Sequence, residues 1–174
     1  MAKIIGLSGK QYSGKDTVAK ILLETFTDFK RIGIGDAIKI KYGKKHGLTF
    51  EEIEKNKHLY RADLIELGNW GRSIHPDYWL KTIINMEGNL IVPDLRVVHE
   101  AQVLASGGAY LIRVDADEEI RAKRGTIVSG NDDTETALDN YKDWNYIIQN
   151  NGTYEELVDN TAELIKDIYT KFLI

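Results

Sequence analysis

Lys3-Ile4-Ile5-Gly6-Leu7-Ser8-Gly9-Lys10-Gln11-Tyr12-Ser13-Gly14-Lys15-Asp16-Thr17 is the stretch that decides the fold. Lys3–Leu7 has the apolar run of a buried strand, and Thr17–Phe26 puts Val18, Ile21, Leu22 and Phe26 on one face of a helix. Between them, Gly9 and Gly14 let the backbone curl so that successive N–H groups turn inward toward an anion. The following helix adds unsatisfied N–H groups and the positive end of its dipole. Lys15 is spaced to reach β- and γ-phosphate oxygens, with Lys10 and Ser13 on the loop between the glycines. A strand, this loop and a helix in that order predict a phosphate cradle over Gly9, Lys10, Ser13, Gly14, Lys15, Asp16 and Thr17.

Asp16 stands where such loops carry the Ser or Thr whose hydroxyl touches Mg²⁺, and Thr17 supplies a hydroxyl one residue later. Asp16 either holds the metal, directly or through water, or sits in the first helical turn, where a carboxylate is favourable anyway. Both readings stand at the level of sequence.

Further strands are expected at Arg31–Ile34, Asn89–Val92, Ala109–Val114 and Tyr146–Ile148, with helical stretches between them. The last helix opens on Thr153-x-x-Glu156, a capping box, and repeats Leu157, Thr161, Leu164/Ile165, Ile168 and Phe172 at helical spacing. Strands this apolar, alternating with helices, predict an α/β fold with a parallel sheet. Gly125–Asp139 is polar and weakly periodic, and reads as a mobile loop or lid tip, or as a plain surface loop.

The 174 residues suit one domain, or one domain with an inserted lid. A net charge of −4 gives no global footprint for a nucleic-acid polymer, although an acidic enzyme can still gather its cations in one cleft. The absence of cysteine excludes disulfides and thiolate metal sites. The apolar run at Ile4 is too short for a signal peptide and no stretch has the length of a membrane span, so a cytoplasmic protein is expected.

Asn89–Val92 leads through Pro93 to Asp94 and Arg96, and ligands of open α/β sheets lie beyond the carboxyl ends of strands. Asp94 is thereby placed to orient Mg²⁺ or its waters and Arg96 to hold a phosphate, unless the aspartate only forms a turn. Lys39 lies near a helix start, within reach of an anion. Arg61 and Arg72 could clamp a phosphate, and Trp70, Tyr78 or Trp79 could stack on a ring, although packing in the core is the commoner use of such aromatics. Arg121 and Arg124, three apart on a short helix, either neutralise charge during phosphoryl transfer or pair with Asp117 and Glu118 at the surface. Asn150 and Gly152, after the last strand, could read an adenine edge.

These residues resemble two related families, the bacteriophage deoxynucleoside monophosphate kinases and the animal-type phosphomevalonate kinases. The likeness runs essentially end to end. It rests on Ser8-Gly-Lys-x-x-Ser13-Gly-Lys-Asp16, Lys39 with Tyr42, His46-Gly-Leu48, Arg61-x-Asp63 and Asp94-x-Arg96. It continues through Arg121-x-x-Arg124, Asp132-Asp133-x-Glu135, Leu138-Asp139-Asn140, and Asn150 before Gly152. The Gly-Lys-Asp variant is common to both families. The resemblance implies a three-layer P-loop kinase fold, with a five-stranded parallel sheet flanked by helices. It implies one domain over residues 1–174, a helical acceptor-binding region at about 36–87 and a lid at about 117–140. It further implies Mg²⁺ with ATP as co-substrate, and Lys15, Asp94, Arg121 and Arg124 as catalytic residues. The metal would fall to Asp16, Thr17 and Asp94, and the acceptor to Asp36, Lys39, Arg61, Trp70, Arg72 and Arg96. Asp36 departs from the glycine or small residue often found there. A nucleotide acceptor suits Asn69, Trp70, Tyr78 and Trp79, which leads to a deoxynucleoside monophosphate as the expected acceptor and phosphomevalonate as the alternative. A P-loop ATPase or nucleotide-binding regulator is the reading from a different class.

Overall fold

The computed structural model describes residues 2–127 and 133–173, the side chain of Thr134 apart. The chain divides into two compact units, one formed by residues up to Arg31 and from Gly88 onward, the other by Ile32–Glu87.

The first unit is built on five parallel strands, β1 (Ile4–Ser8), β2 (Phe29–Arg31), β3 (Asn89–Val92), β4 (Tyr110–Asp115) and β5 (Tyr146–Gln149). Their order is β2-β3-β1-β4-β5. Ile5 and Leu7 of β1 and Ile112 and Val114 of β4 are all fully buried, as strands covered on both faces require. One face carries α1 (Lys15–Thr25) and α9 (Tyr154–Ile168), whose Val18, Leu22, Leu157, Leu164 and Ile168 close the core over β1 and β4. Between β3 and β4 runs α6 (Val98–Ser106), packed on β1 and β4 with Ala101 and Leu104 buried. The short helices α7 (Glu118–Arg124) and α8 (Asp133–Thr136) lie between β4 and β5. Because β3 and β4 leave β1 on opposite sides, the strand order reverses at β1, and the crevice of such a sheet lies beyond the carboxyl end of that strand. That is where Gly9–Gly14 begins.

Two expectations need correction. The second strand is Phe29–Arg31, not Arg31–Ile34: Phe29 is buried against Phe26 at a ring distance of 5.6 Å, and Ile34 starts a helix instead. Asp36 sets that helix start by accepting from the Gly33 N–H at 2.7 Å. The stretch Gly125–Asp139 is also not all loop, since Asp133–Thr136 forms a helical turn. Asp132 and the middle of the expected lid fall outside the described residues.

The second unit is helical: α2 (Ile34–His46), α3 (Phe50–Lys55), α4 (Lys57–Ile74) and α5 (Leu80–Ile84). Its centre is Trp79, only 3% exposed, whose indole N–H donates to the Gly68 carbonyl of α4 at 2.9 Å. A Cβ at Gly71 would lie 2.5 Å from that ring, so a glycine in mid-helix, costly by about 1 kcal/mol, is what lets the indole lie on the backbone. Among the described residues no helix is long and apolar enough to cross a membrane.

The helix α9 stands on the capping box read from the sequence. Thr153 Oγ1 accepts from the Glu156 N–H at 3.2 Å and Glu156 accepts from the Thr153 N–H at 2.8 Å. Thr153→Ala should lower unfolding free energy by about 0.5–2 kcal/mol in urea titrations, with the slope unchanged.

Candidate active site

In the loop after β1 the backbone takes left-handed turns at Tyr12 (φ 61°) and Gly14 (φ 100°). Gly14 has a second reason to be glycine, because a Cβ there would fall 2.3 Å from Asn150 Nδ2. Three consecutive carbonyls of the loop are gripped by side chains from elsewhere in the same unit. Gln11 O accepts from Arg121 at 3.3 Å, Tyr12 O from Arg124 at 3.3 Å, and Ser13 O from the Asn150 amide at 2.8 Å. A trans peptide is planar, so the N–H that follows each held carbonyl points the opposite way. The grip thus fixes the peptide planes that carry the N–H groups of Tyr12, Ser13 and Gly14, of which the Ser13 N–H closes the turn on Lys10 O at 3.1 Å.

Two features fit this loop to a phosphate ligand. Ser13 Oγ is buried and has no hydrogen-bond partner among the described residues, a cost that a ligand oxygen would remove. At Gly9 a Cβ would fill the loop itself, 2.4 Å from that hydroxyl and 2.5 Å from Val114 O. Lys15, its side chain 13% exposed, pairs with its neighbour Asp16 at 3.3 Å, whose side chain is 83% exposed. Thr17 follows in the first turn of α1, half-buried. The residues present therefore suit Mg²⁺ held largely by phosphate and water oxygens with Asp16 or Thr17 added.

Around the loop lies a ring of charges within the first unit. Asp94 and Arg96 follow β3, both half-buried, and the Leu95 N–H between them binds Leu7 O of β1 at 3.0 Å. Arg96 pairs with Glu135, which also accepts from the Gln11 N–H at 3.2 Å. Lys10 pairs with Asp139 at 2.7 Å. Behind them Arg113, 6% exposed in the middle of β4, binds Ser8 Oγ at 3.1 Å and Asp115 at 2.7 Å and lies over Trp144. Trp144, half-buried, donates its own N–H to Tyr141 O. Lys10, Arg113, Arg121 and Asp139 share the wall of a polar cavity of about 500 Å³.

The arginines Arg121 and Arg124 touch loop carbonyls rather than Asp117 or Glu118. Arg121 is buried and also donates to Ala116 O, while Arg124 reaches Asn150 O at 2.8 Å and Gly152 O at 3.4 Å. Asn150 is equally committed: its backbone N–H binds Asp115 O at 2.7 Å, its carbonyl takes Arg124, and its amide takes Ser13.

In the second unit Lys39 is buried between two carboxylates, Asp36 at 3.2 Å and Glu54, with Phe50 facing its ammonium at 5.2 Å. Asp36 is thus a cap and a partner of Lys39 at once. Arg61 and Arg72 lie on one helix, α4, and at roughly 1.5 Å of rise per residue their Cα atoms stand about 16 Å apart. They address different points along that helix. Trp70 is 44% exposed and edge-on to Tyr78 at 5.4 Å, with the Lys41 ammonium 5.2 Å from its ring. It lines an open groove of about 700 Å³ with Ala62, Ile65, Glu66, Asn69 and Ser73. Nearby, Tyr42 donates to Asp63 at 2.7 Å, and this bond to a carboxylate holds the phenol above its usual pKa.

Sequence reasoning did not assign Glu135, Asp139 or Arg113 a role. For Arg113 a signal existed, since a cation inside a strand whose other residues are Tyr, Leu, Ile, Val and a closing Asp must find buried partners. The two acids stand in motifs that carry the family resemblance, but their partners are revealed only by proximity in space.

A family model described as phosphomevalonate kinase matches residues 7–108. Among solved structures, the shikimate kinase of Aquifex aeolicus vf5 aligns over 97% of this chain and 99% of its own, with TM-score 0.54 and 18% identity. The shikimate kinase of Acinetobacter baumannii, solved in complex with shikimate, aligns over 100% and 96%, with TM-score 0.58 and 15% identity. The APS kinase of Mycobacterium tuberculosis, in complex with AMPPNP and APS, aligns over 97% and 98%, with TM-score 0.53 and 16% identity. At such identities the likeness is one of fold: a five-stranded parallel sheet flanked by helices, that of the P-loop kinases.

Asn150→Ala would leave the Ser13 carbonyl without its amide donor. It should cost about 1–3 kcal/mol of stability, read by chemical denaturation, because a buried acceptor loses its partner. A loss within error would show that the loop keeps its shape without the grip.

Proposed function

The chain belongs to the phosphomevalonate kinase family, and we propose that it moves the γ-phosphoryl group of ATP onto a phosphate, that of a deoxynucleoside monophosphate. It is a P-loop kinase, and the acceptor is the part of the reading that goes further. The observation that carries it is Trp70. A large indole left 44% exposed beside Asn69, over an open groove, offers a stacking face and an amide that reads base edges.

In this reading an acceptor phosphate oxygen attacks the γ-phosphorus, the bond to the β–γ bridging oxygen breaks, and ADP leaves. Transfer of this kind asks the protein for position and positive charge more than for covalent chemistry. Lys15 and the N–H groups of the loop hold the phosphates, with Gly9 and Gly14 keeping the cradle open and Lys10 and Ser13 completing it. Mg²⁺, when bound, would neutralise charge on the β- and γ-oxygens, with Asp16, Thr17 and Asp94 as the side chains to hold it or its waters. Arg121 and Arg124 keep the loop in shape and supply positive charge beside it. Asn150 and Gly152 border the adenine end, where Asn150 acts by fixing the loop. Arg96 would hold the acceptor's phosphate where it meets the γ-phosphoryl group. Arg61, Arg72 and Lys39, with Asp36 holding Lys39 in place, and Trp70 form the acceptor-binding set of the second unit.

The family match supports a second reading, phosphomevalonate as acceptor. The separation of Arg61 and Arg72 along α4 favours an acceptor with two anionic groups, and phosphomevalonate has a phosphate and a carboxylate.

A coupled ADP-release screen over deoxynucleoside monophosphates, nucleoside monophosphates and phosphomevalonate separates these readings. Turnover is expected with at least one deoxynucleoside monophosphate. Turnover with phosphomevalonate alone transfers the assignment to the second reading, and ADP release with no acceptor makes the chain an ATPase. Lys15→Ala should lower kcat by about 10²–10³-fold, the cost of one positioned charge, with circular dichroism unchanged. Trp70→Ala should raise the KM of a nucleotide acceptor by roughly tenfold or more and leave that of ATP alone, since base–aromatic stacking is worth about 1–3 kcal/mol.

A further inference from the structure

Glu135 makes two bonds that a phosphate would make. Its side chain is only 7% exposed; one carboxylate oxygen accepts from the Gln11 N–H of the phosphate loop and the other pairs with the Arg96 guanidinium. A backbone N–H of a curled loop and a guanidinium are the two donors that recur in phosphate recognition. One turn later along the chain, Asp139 does the same at the adjacent loop residue, taking the ammonium of Lys10 at 2.7 Å. Two acids four residues apart thus cover two consecutive residues of the loop, while the loop's own serine hydroxyl has no partner among the described residues.

We propose that Glu135 is a resident competitor for substrate phosphate: its carboxylate fills an anion seat made by the Gln11 N–H and Arg96, and gives up both donors when substrate binds. The inference rests on the phosphotransferase reading of the loop and holds whichever acceptor proves right. Two anions cannot share one pair of donors, so whatever the carboxylate gains in the seat is subtracted from the affinity of the incoming phosphate. By linkage, removing the carboxylate's charge raises that affinity. The same contact sharpens selection, because a weakly held anion does not displace Glu135 whereas a polyphosphate anchored elsewhere in the loop does.

Calorimetric titration of the full chain with ATP and Mg²⁺, and separately with inorganic pyrophosphate, tests the idea. Glu135→Gln keeps the size of the side chain and removes its charge, and should tighten both ligands by roughly ten- to a hundredfold, the worth of a charge-assisted contact. With Arg96→Ala added, the gain should shrink, because the seat itself is damaged. Glu135→Asp is a second route: a carboxylate one methylene shorter cannot span both donors, and tightening of intermediate size is expected. Thermal unfolding of each variant checks that the fold is kept. Affinity unchanged or weakened in both Glu135→Gln and Glu135→Asp overturns the proposal while the kinase assignment stands. A wild-type chain that binds neither ATP nor pyrophosphate overturns the phosphate-loop reading, and the role of Glu135 with it.

Discussion

The planarity of the peptide bond governs this site. A loop that must aim several N–H groups at one anion has to send the carbonyls the other way, into protein where they need donors. Here the donors are Arg121, Arg124 and the amide of Asn150, each on its own carbonyl of Gln11, Tyr12 and Ser13. Arginine suits the task because its fork of donors can serve two carbonyls at once, as Arg124 does across Tyr12 and Asn150. The cations beside the phosphates and the geometry of the cradle are therefore one feature. The chain spends the same side chains on both.

Electrostatic satisfaction runs outward from there in layers. Arg113 sits inside the sheet, where a lone charge would be prohibitive, and is tolerable because Ser8 of β1, Asp115 of its own strand and Asp139 of the turn after α8 answer it. Asp139 also answers Lys10, so the strand interior and the rim of the loop are tied through one carboxylate. In the second unit buried Asp36 and Lys39 pair with each other, and the more exposed Glu54 completes a separate set. Neither arrangement is strong evidence of net stability, since desolvation offsets most of what such pairs gain. Their effect is on geometry: each fixes a side chain that an unpaired rotamer would scatter.

The sheet and the loop were legible because their signals are local. An apolar run, two glycines at fixed spacing, a lysine and an amphipathic helix each follow from a few adjacent residues, and so does Thr153-x-x-Glu156. The second strand was misread by a few positions because Arg31-Ile-Gly-Ile34 looks extended, while the decisive fact, Asp36 capping Gly33, lies just beyond it. Trp70 and Trp79 show a harder limit. Both are tryptophans in one aromatic run, and only packing onto Gly68 and Gly71 separates the buried one from the exposed one. The partnership of Glu135 with Gln11 spans 124 residues, and no spacing rule carries information over that distance.

The placement of the three tryptophans makes the chain its own optical reporter. Trp144 lies in the first unit, half-buried over Arg113, while Trp70 and Trp79 lie in the second, one partly exposed and one in the core. Indole emission shifts with the polarity around the ring, so the two units carry distinguishable fluorophores without any label. Melting of the helical unit alone would redden Trp79 and leave Trp144 as it was, and quenching by a dissolved ion would strike Trp70 first. Whether the two units lose structure together or in turn is written in the colour of the emitted light.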